Sequence, residues 1–247
     1  MGSALGANGR APAGLWVLDL TKRYGAKVAV DHVSFGVAPG EILALAGPNG
    51  AGKTTTLLSL AGLLRPDAGL ICWNGRPLGP ERSRSMALIP ETPEVYDMLT
   101  VWEHLVFVAR SCRLRGGWRE TAAGLVCRLG IADQRDTLGE ALSKGMRQKL
   151  LVAAAVLAET PVLLLDEPMI GLDPRGQREL TAILRELRAE GRAVIVSTHL
   201  LGYIEGLCDR VLILKEGRAL ALATVPELLA GAAGMSLEDR FLEIVEQ

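Results

Sequence analysis

The stretch Gly47-Pro48-Asn49-Gly50-Ala51-Gly52-Lys53-Thr54-Thr55 constrains this chain more than any other part of it. Gly47, Gly52, Lys53 and Thr54 fit the spacing G-x-x-x-x-G-K-[ST]. In that pattern backbone N–H groups cradle phosphates, the lysine reaches the β/γ oxygens and the hydroxyl binds Mg²⁺. Glu41 to Ala46 is a short, mostly apolar run suited to a buried strand, and Thr54 to Leu64 reads as a helix with few charges. Strand, glycine loop and helix in that order point the helix N-terminus, with its unpaired N–H groups and partial positive charge, at the phosphates. The chain is therefore expected to bind a nucleotide in an α/β domain, with residues 47–55 as phosphate contacts.

A second constellation narrows the chemistry. Val162 to Pro168, VLLLDEP, sets two carboxylates at the end of an apolar strand, an expensive place for like charges unless they have work to do. Asp166 suits a Mg²⁺ ion held through its water shell. Glu167 suits polarisation of the water that attacks a γ-phosphate.

With 247 residues, 49% of them hydrophobic, the chain can fill a substantial core. Its 27 basic and 28 acidic residues leave a net charge of -1, which gives no footprint for nucleic acid. Cys72, Cys112, Cys127 and Cys208 form no C-x-x-C pair, and no signal peptide opens the sequence, so reduced thiols in a cytoplasmic protein are expected. Residues 1–14, Gly/Ala-rich and without a regular face, read as a disordered extension. No apolar stretch reaches the roughly 18 residues of a membrane span. The nearest, Leu150 to Ala158, is bounded by Lys149 and Glu159.

Along the chain, Leu15 to Leu20, Val33 to Val37 and Ile71 to Gly75 read as strands of an antiparallel region. Val162 to Asp166, a helix from Pro174 to Glu190 and the strand Ala193 to Ser197 form a second α/β stretch. Between them, helical patterns at Val101 to Leu114, Trp118 to Leu129 and Ser143 to Leu157 mark an insertion over about residues 92–158. Val211 to Leu214 and Arg218 to Leu222 flank Lys215-Glu216-Gly217 as a hairpin, Pro226 to Ala230 opens a short helical tail, and residues 231–247 read as a short C-terminal tail. Arg110, Arg113, Arg115 and Arg119 crowd one segment, either as a solvated face or as a surface for an acidic partner or lipid headgroups.

Ala141 to Lys149, ALSKGMRQK, resembles the signature segment of ABC ATPases, commonly L-S-G-G-Q. The phosphate loop, Leu165-Asp-Glu-Pro168, Gly171-Leu-Asp-Pro174 and His199 after a strand complete that family's motifs in its order. The resemblance spans Leu15 to about Thr224. It implies a P-loop NTPase core with an antiparallel β subdomain and an inserted α-helical subdomain, one ABC ATPase domain over residues 15–230, with ATP and Mg²⁺ bound. Ser143 as an N-cap and Gly145 as a point of close backbone approach would give the following helix a second anion site. In the family that site serves the nucleotide of a second ATPase subunit, arranged head to tail.

The resemblance assigns further positions one at a time. Tyr24 matches the residue that stacks on adenine, Asp173 the loop acid that couples the two sites, and His199 the histidine that contacts the γ-phosphate. An N-cap role for Asp173 on the Pro174 helix is an alternative that is compatible with coupling. Glu91 stands where the family has glutamine and would serve as a Mg²⁺ ligand beside Thr54 and Asp166. Lys144 and Met146 depart from the signature. Thr92 to Thr100 resembles the surface that receives a transmembrane transporter subunit, with Pro93, Tyr96 and Met98 as contacts. The expected function is ATP hydrolysis that energises such a subunit from the cytoplasmic face of the membrane, in an exporter. A soluble ABC ATPase acting as an assembly factor, as in iron–sulfur cluster assembly, is the alternative.

Overall fold

The computed structural model describes residues 13–79, 85–199, 201–203, 205–230 and 235–246. In chain order these form β1 (Leu15–Tyr24), β2 (Lys27–Val37), β3 (Ile42–Ala46), α1 (Lys53–Ala61), β4 (Ala68–Trp73), β5 (Arg76–Pro77) and β6 (Met86–Ile89). Then come α2 (Val101–Ser111), α3 (Trp118–Arg128), α4 (Lys144–Leu157), β7 (Val162–Asp166), α5 (Pro174–Ala189) and β8 (Ala193–Thr198). The last elements are β9 (Arg210–Lys215), β10 (Arg218–Thr224), α6 (Val225–Leu229) and α7 (Leu237–Glu246).

The near-continuous apolar runs of β3, β7 and β8 follow from burial on both sheet faces. Side chains alternate, so Ile42, Ala44 and Ala46 enter one core while Leu43 and Leu45 enter another. Leu163 and Leu165 likewise oppose Val162 and Leu164, and Val194 and Val196 oppose Ala193 and Ile195. These strands lie in a six-stranded sheet of order β10-β9-β3-β8-β7-β6, parallel except for the edge strand β10. One face packs on apolar residues of α2, α3, α4 and α5. The other packs on α1 and on a four-stranded antiparallel sheet of order β2-β1-β4-β5.

Several elements differ from the sequence reading. β1 continues past Leu20 to Tyr24, because register shifts absorb the polar Asp19, Lys22 and Arg23 that interrupt the alternation. The strand read at Ile71 to Gly75 begins at Ala68 and ends at Trp73, before a turn through Asn74 and Gly75. α2 stops at Ser111 and not at Leu114, since Arg113 takes a left-handed φ of 55°. α7 falls where only a short tail is expected; Leu237 and Phe241, four residues apart, are its buried contacts. Residues 1–12, most of the expected extension, lie outside the described residues, as do 231–234 and 247 of the tail. Gly14 exchanges hydrogen bonds with Asn74. Among the described residues, no helix is long and apolar enough to cross a membrane.

Candidate functional site

Strand register gathers the chemical groups at one edge of the large sheet. Ala46 at the end of β3 pairs with Thr198 at the end of β8, and Asp166 at the end of β7 pairs with Ser197. The loops leaving β3, β7 and β8 therefore emerge together at the carboxyl ends of parallel strands, where open α/β sheets bind ligands.

The loop after β3 wraps the start of α1. Gly52 precedes the helix with φ 104°, and a side chain there would meet the Ala29 carbonyl at 2.4 Å. Gly47 approaches the Leu214 carbonyl so closely that a Cβ would lie 2.5 Å from it. No side chain caps α1, so its first N–H groups remain available to an anion. The Lys53 side chain is buried, and its Nζ donates to the carbonyls of Gly47 at 2.7 Å and Pro48 at 3.3 Å.

Beyond β7, Asp166 accepts a short hydrogen bond from the Ser197 hydroxyl. Glu167 adopts a left-handed φ of 47°, a costly conformation for this residue. Its N–H is shared between Ser197 O at 3.2 Å and Ser197 Oγ at 3.1 Å. Its carboxylate is 6% exposed, with Oε1 at 2.8 Å from His199 Nδ1 and 3.7 Å from Lys53 Nζ. Glu167 is thus held between a histidine and a lysine brought from β8 and α1.

These groups line a cleft of ≈ 460 Å³. The β1–β2 hairpin contributes Tyr24, Lys27 and Ala29; residues 49–55 form the floor; Glu91, Asp166, Glu167 and His199 complete the wall. Tyr24 is half exposed at the hairpin end, as a planar surface at the rim. Lys27 and Ser197 escape the sequence reading. Lys27 has no motif to flag it, whereas Ser197, two residues before His199 in VSTH, lies at the register position opposite Asp166.

The oxygens available suit Mg²⁺, which takes one or two carboxylates together with substrate phosphates and water. The Thr54 hydroxyl is exposed at the start of α1. Ser197 engages only one oxygen of Asp166, and the other has no protein partner among the described residues. Among those residues no set of three or more His, Cys, Asp or Glu could enclose a metal by itself.

Ser143, Gly145 and Asp173 do not line this cleft. Ser143 caps α4, its hydroxyl accepting from Met146 N–H at 3.3 Å. The close approach at Gly145 is made within the chain, because a Cβ there would lie 2.7 Å from the Gly171 carbonyl. Asp173 caps α5 by accepting from Gly176 N–H at 2.7 Å and pairs with Lys149 of α4 at 3.4 Å. The Gly176 hydrogen bond, then Lys149, holds its carboxyl below the usual range.

Outside the cleft, Tyr96 and Met98 are exposed, whereas Pro93 is buried and offers no surface. Tyr96 packs edge-on against Phe107 of α2. His104 secures this loop: its Nδ1–H donates to Thr100 O at 2.7 Å and its Nε2 accepts from Tyr96 N–H at 2.9 Å. Arg110, Arg113, Arg115 and Arg119 are all exposed, with Arg119 stacked on Trp118 at 4.5 Å.

A parallel sheet carrying a glycine loop and an acidic strand end on one cleft defines a P-loop nucleotide-binding domain. A family profile described as ABC transporter matches residues 30–170. Nod factor export ATP-binding protein I of Paraburkholderia xenovorans is 36% identical over 89% of this chain and 74% of the relative. ABC-type transporter ATP-binding protein EcsA of Bacillus subtilis is 36% identical over 94% of this chain and 97% of its own length. A solved structure described as the ATP binding subunit of an ABC transporter superposes with TM-score 0.89 at 36% identity, covering 94% of this chain and 99% of that one. The chain belongs to the ABC transporter family, as an ATP-binding subunit.

Proposed function

We propose that this chain hydrolyses Mg²⁺-ATP to drive a separate transmembrane subunit of an exporter, working on the cytoplasmic face of the membrane as one of two ATPase subunits closed head to tail. The observation that carries the catalytic part is the position of Glu167, buried at the cleft wall and bonded to His199. Adenine stacks on Tyr24, while the phosphates lie along residues 47–55 and receive Lys53. Thr54, Asp166 and Glu91 would hold Mg²⁺, which when bound neutralises phosphate charge.

The water oxygen attacks the γ-phosphorus, the bond to the bridging oxygen breaks, and ADP departs with that electron pair. Glu167 accepts the proton of the water. His199 keeps the carboxylate aimed and reaches the γ-phosphate as charge builds. The helix tip at Ser143 and Gly145 faces the phosphates of the other subunit, and Asp173 connects that tip to its own α5. Tyr96 and Met98, held by His104, supply apolar surface for the transmembrane subunit. The export-type names of relatives such as the Nod factor protein support the direction of transport.

Glu167→Gln tests the chemistry, since it keeps the size and the hydrogen bond to His199 while removing the base. Turnover should fall about 10²–10⁴-fold with ATP affinity nearly unchanged. Turnover near the parent's, measured as phosphate release, would remove Glu167 from the mechanism. Co-purification of the tagged chain from membranes with a multi-span protein tests the partner, and recovery only in a soluble complex would sink that part.

A further inference from the structure

Gln148 lies on the inner face of α4 with 1% of its surface exposed, yet its amide is only half used. Nε2 donates to the Pro168 carbonyl across 3.5 Å, and Oε1 has no hydrogen-bond partner among the described residues. Reversing the amide would set Oε1 against that carbonyl, acceptor against acceptor, so chemistry fixes its orientation. A buried acceptor without a donor costs free energy. Methionine or leucine here would remove the unpaired Oε1 but leave the Pro168 carbonyl without its donor, one unpaired acceptor exchanged for another, so stability alone does not call for glutamine.

What Gln148 touches is the turn that leaves β7. Within it, Glu167 O accepts from Ile170 N–H at 3.1 Å, and Met169 O accepts from the Gln177 amide of α5 at 3.2 Å. The Pro168 carbonyl has Gln148 as its one partner among the described residues. Further along, α4 abuts the same segment through Gly145 against Gly171 and Lys149 against Asp173. A non-glycine residue stays at a left-handed φ only where its surroundings over-determine it. Glu167, at 47°, opens the turn that these contacts hold.

We propose that Gln148 is a positioning residue for hydrolysis. Through the Pro168 carbonyl it holds the turn that presents the Glu167 carboxylate, and so ties the tip of α4 to the catalytic base of the same chain. The inference rests on the role given to Glu167 above. Without the amide donor the turn relaxes and the carboxylate leaves the line of the attacking water. Residues 47–55 keep their grip on ATP.

The test uses the full chain with Gln148→Met and Gln148→Leu, beside Glu167→Gln as a control. Thermal midpoint, ATP affinity by titration, and steady-state kcat and KM are measured for each. The expected result is a midpoint close to the parent's, affinity and KM within about twofold, and kcat lowered about tenfold, as for a small misplacement of a reacting group. A parent-like kcat in a folded variant overturns the proposal. So does a kcat that falls only with stability and affinity, or failure of both variants to fold, since either result marks a packing role. A Glu167→Gln variant that still turns over ATP sinks the base assignment itself. An inactive Glu167→Gln beside a fully active Gln148→Met sinks only Gln148.

Discussion

At the residue scale, Lys53 and Glu167 share a corner in which each is under a tenth exposed and their opposite charges lie 3.7 Å apart. A lysine in that corner has two uses. It offers a point charge to phosphate, and it offsets the carboxylate buried beside it. Lys53→Ala should therefore weaken ATP binding about 10–100-fold, the value of a charge-assisted hydrogen bond, and also lower the thermal midpoint. The second effect, unlike the first, should be relieved by adding Glu167→Gln, because no buried charge is then left unpaired. Titration with ATP and melting curves on the single and double variants separate the two. ATP affinity equal to the parent's in a folded Lys53→Ala chain would remove the lysine from the phosphate site.

At the element scale, α5 starts at a cap that also touches α4, so Asp173 links two helices through one carboxylate. Asp173→Ala should cost about 1 kcal/mol, typical of a lost N-cap, or about 2–4 °C in a chain of this size. Because its folded-state acidity is strengthened, the contribution is complete above the ordinary carboxylate value and disappears as pH falls through the lowered one. The gap between parent and variant melts should be constant from about pH 5 to 8 and close below about pH 4. A gap that widens in acid would assign the stability to something other than the ionised cap. The same helices show what sequence discloses. The cap at Ser143, the start of α5 at Pro174 and the strand ends at Ala46 and Asp166 were legible because each rests on a local rule of periodicity, capping or spacing. The contacts of Gly145 with Gly171, Gln148 with Pro168 and His104 with Tyr96 join positions whose neighbourhood exists only after folding. α7 was missed for a related reason: its apolar face is short and gains meaning only against the turn at residues 201–203 on which it packs.

At the scale of the whole molecule, the two helix starts proposed to meet phosphate do not meet within one chain. The start of α1 opens into the cleft, while the start of α4 at Ser143 contributes nothing to its lining. Two copies related head to tail would give each cleft a Ser143 tip from the other copy, so that ATP completes the interface and its hydrolysis reopens it. Gly145 is a poor place to probe this, since any side chain there strikes Gly171 of its own chain. Ser143→Asp is better suited, because aspartate caps a helix as well as serine does and leaves the fold intact while adding a negative charge at the tip. In a Glu167→Gln background, where ATP is bound but used slowly, light scattering after size exclusion should show a dimer that forms with ATP and Mg²⁺. Adding Ser143→Asp should leave monomers at the same ATP occupancy, since the new carboxylate faces the γ-phosphate across the interface. An ATP-dependent dimer of equal yield in the double variant would mean that the α4 tip meets no phosphate, and the head-to-tail arrangement would have to be abandoned.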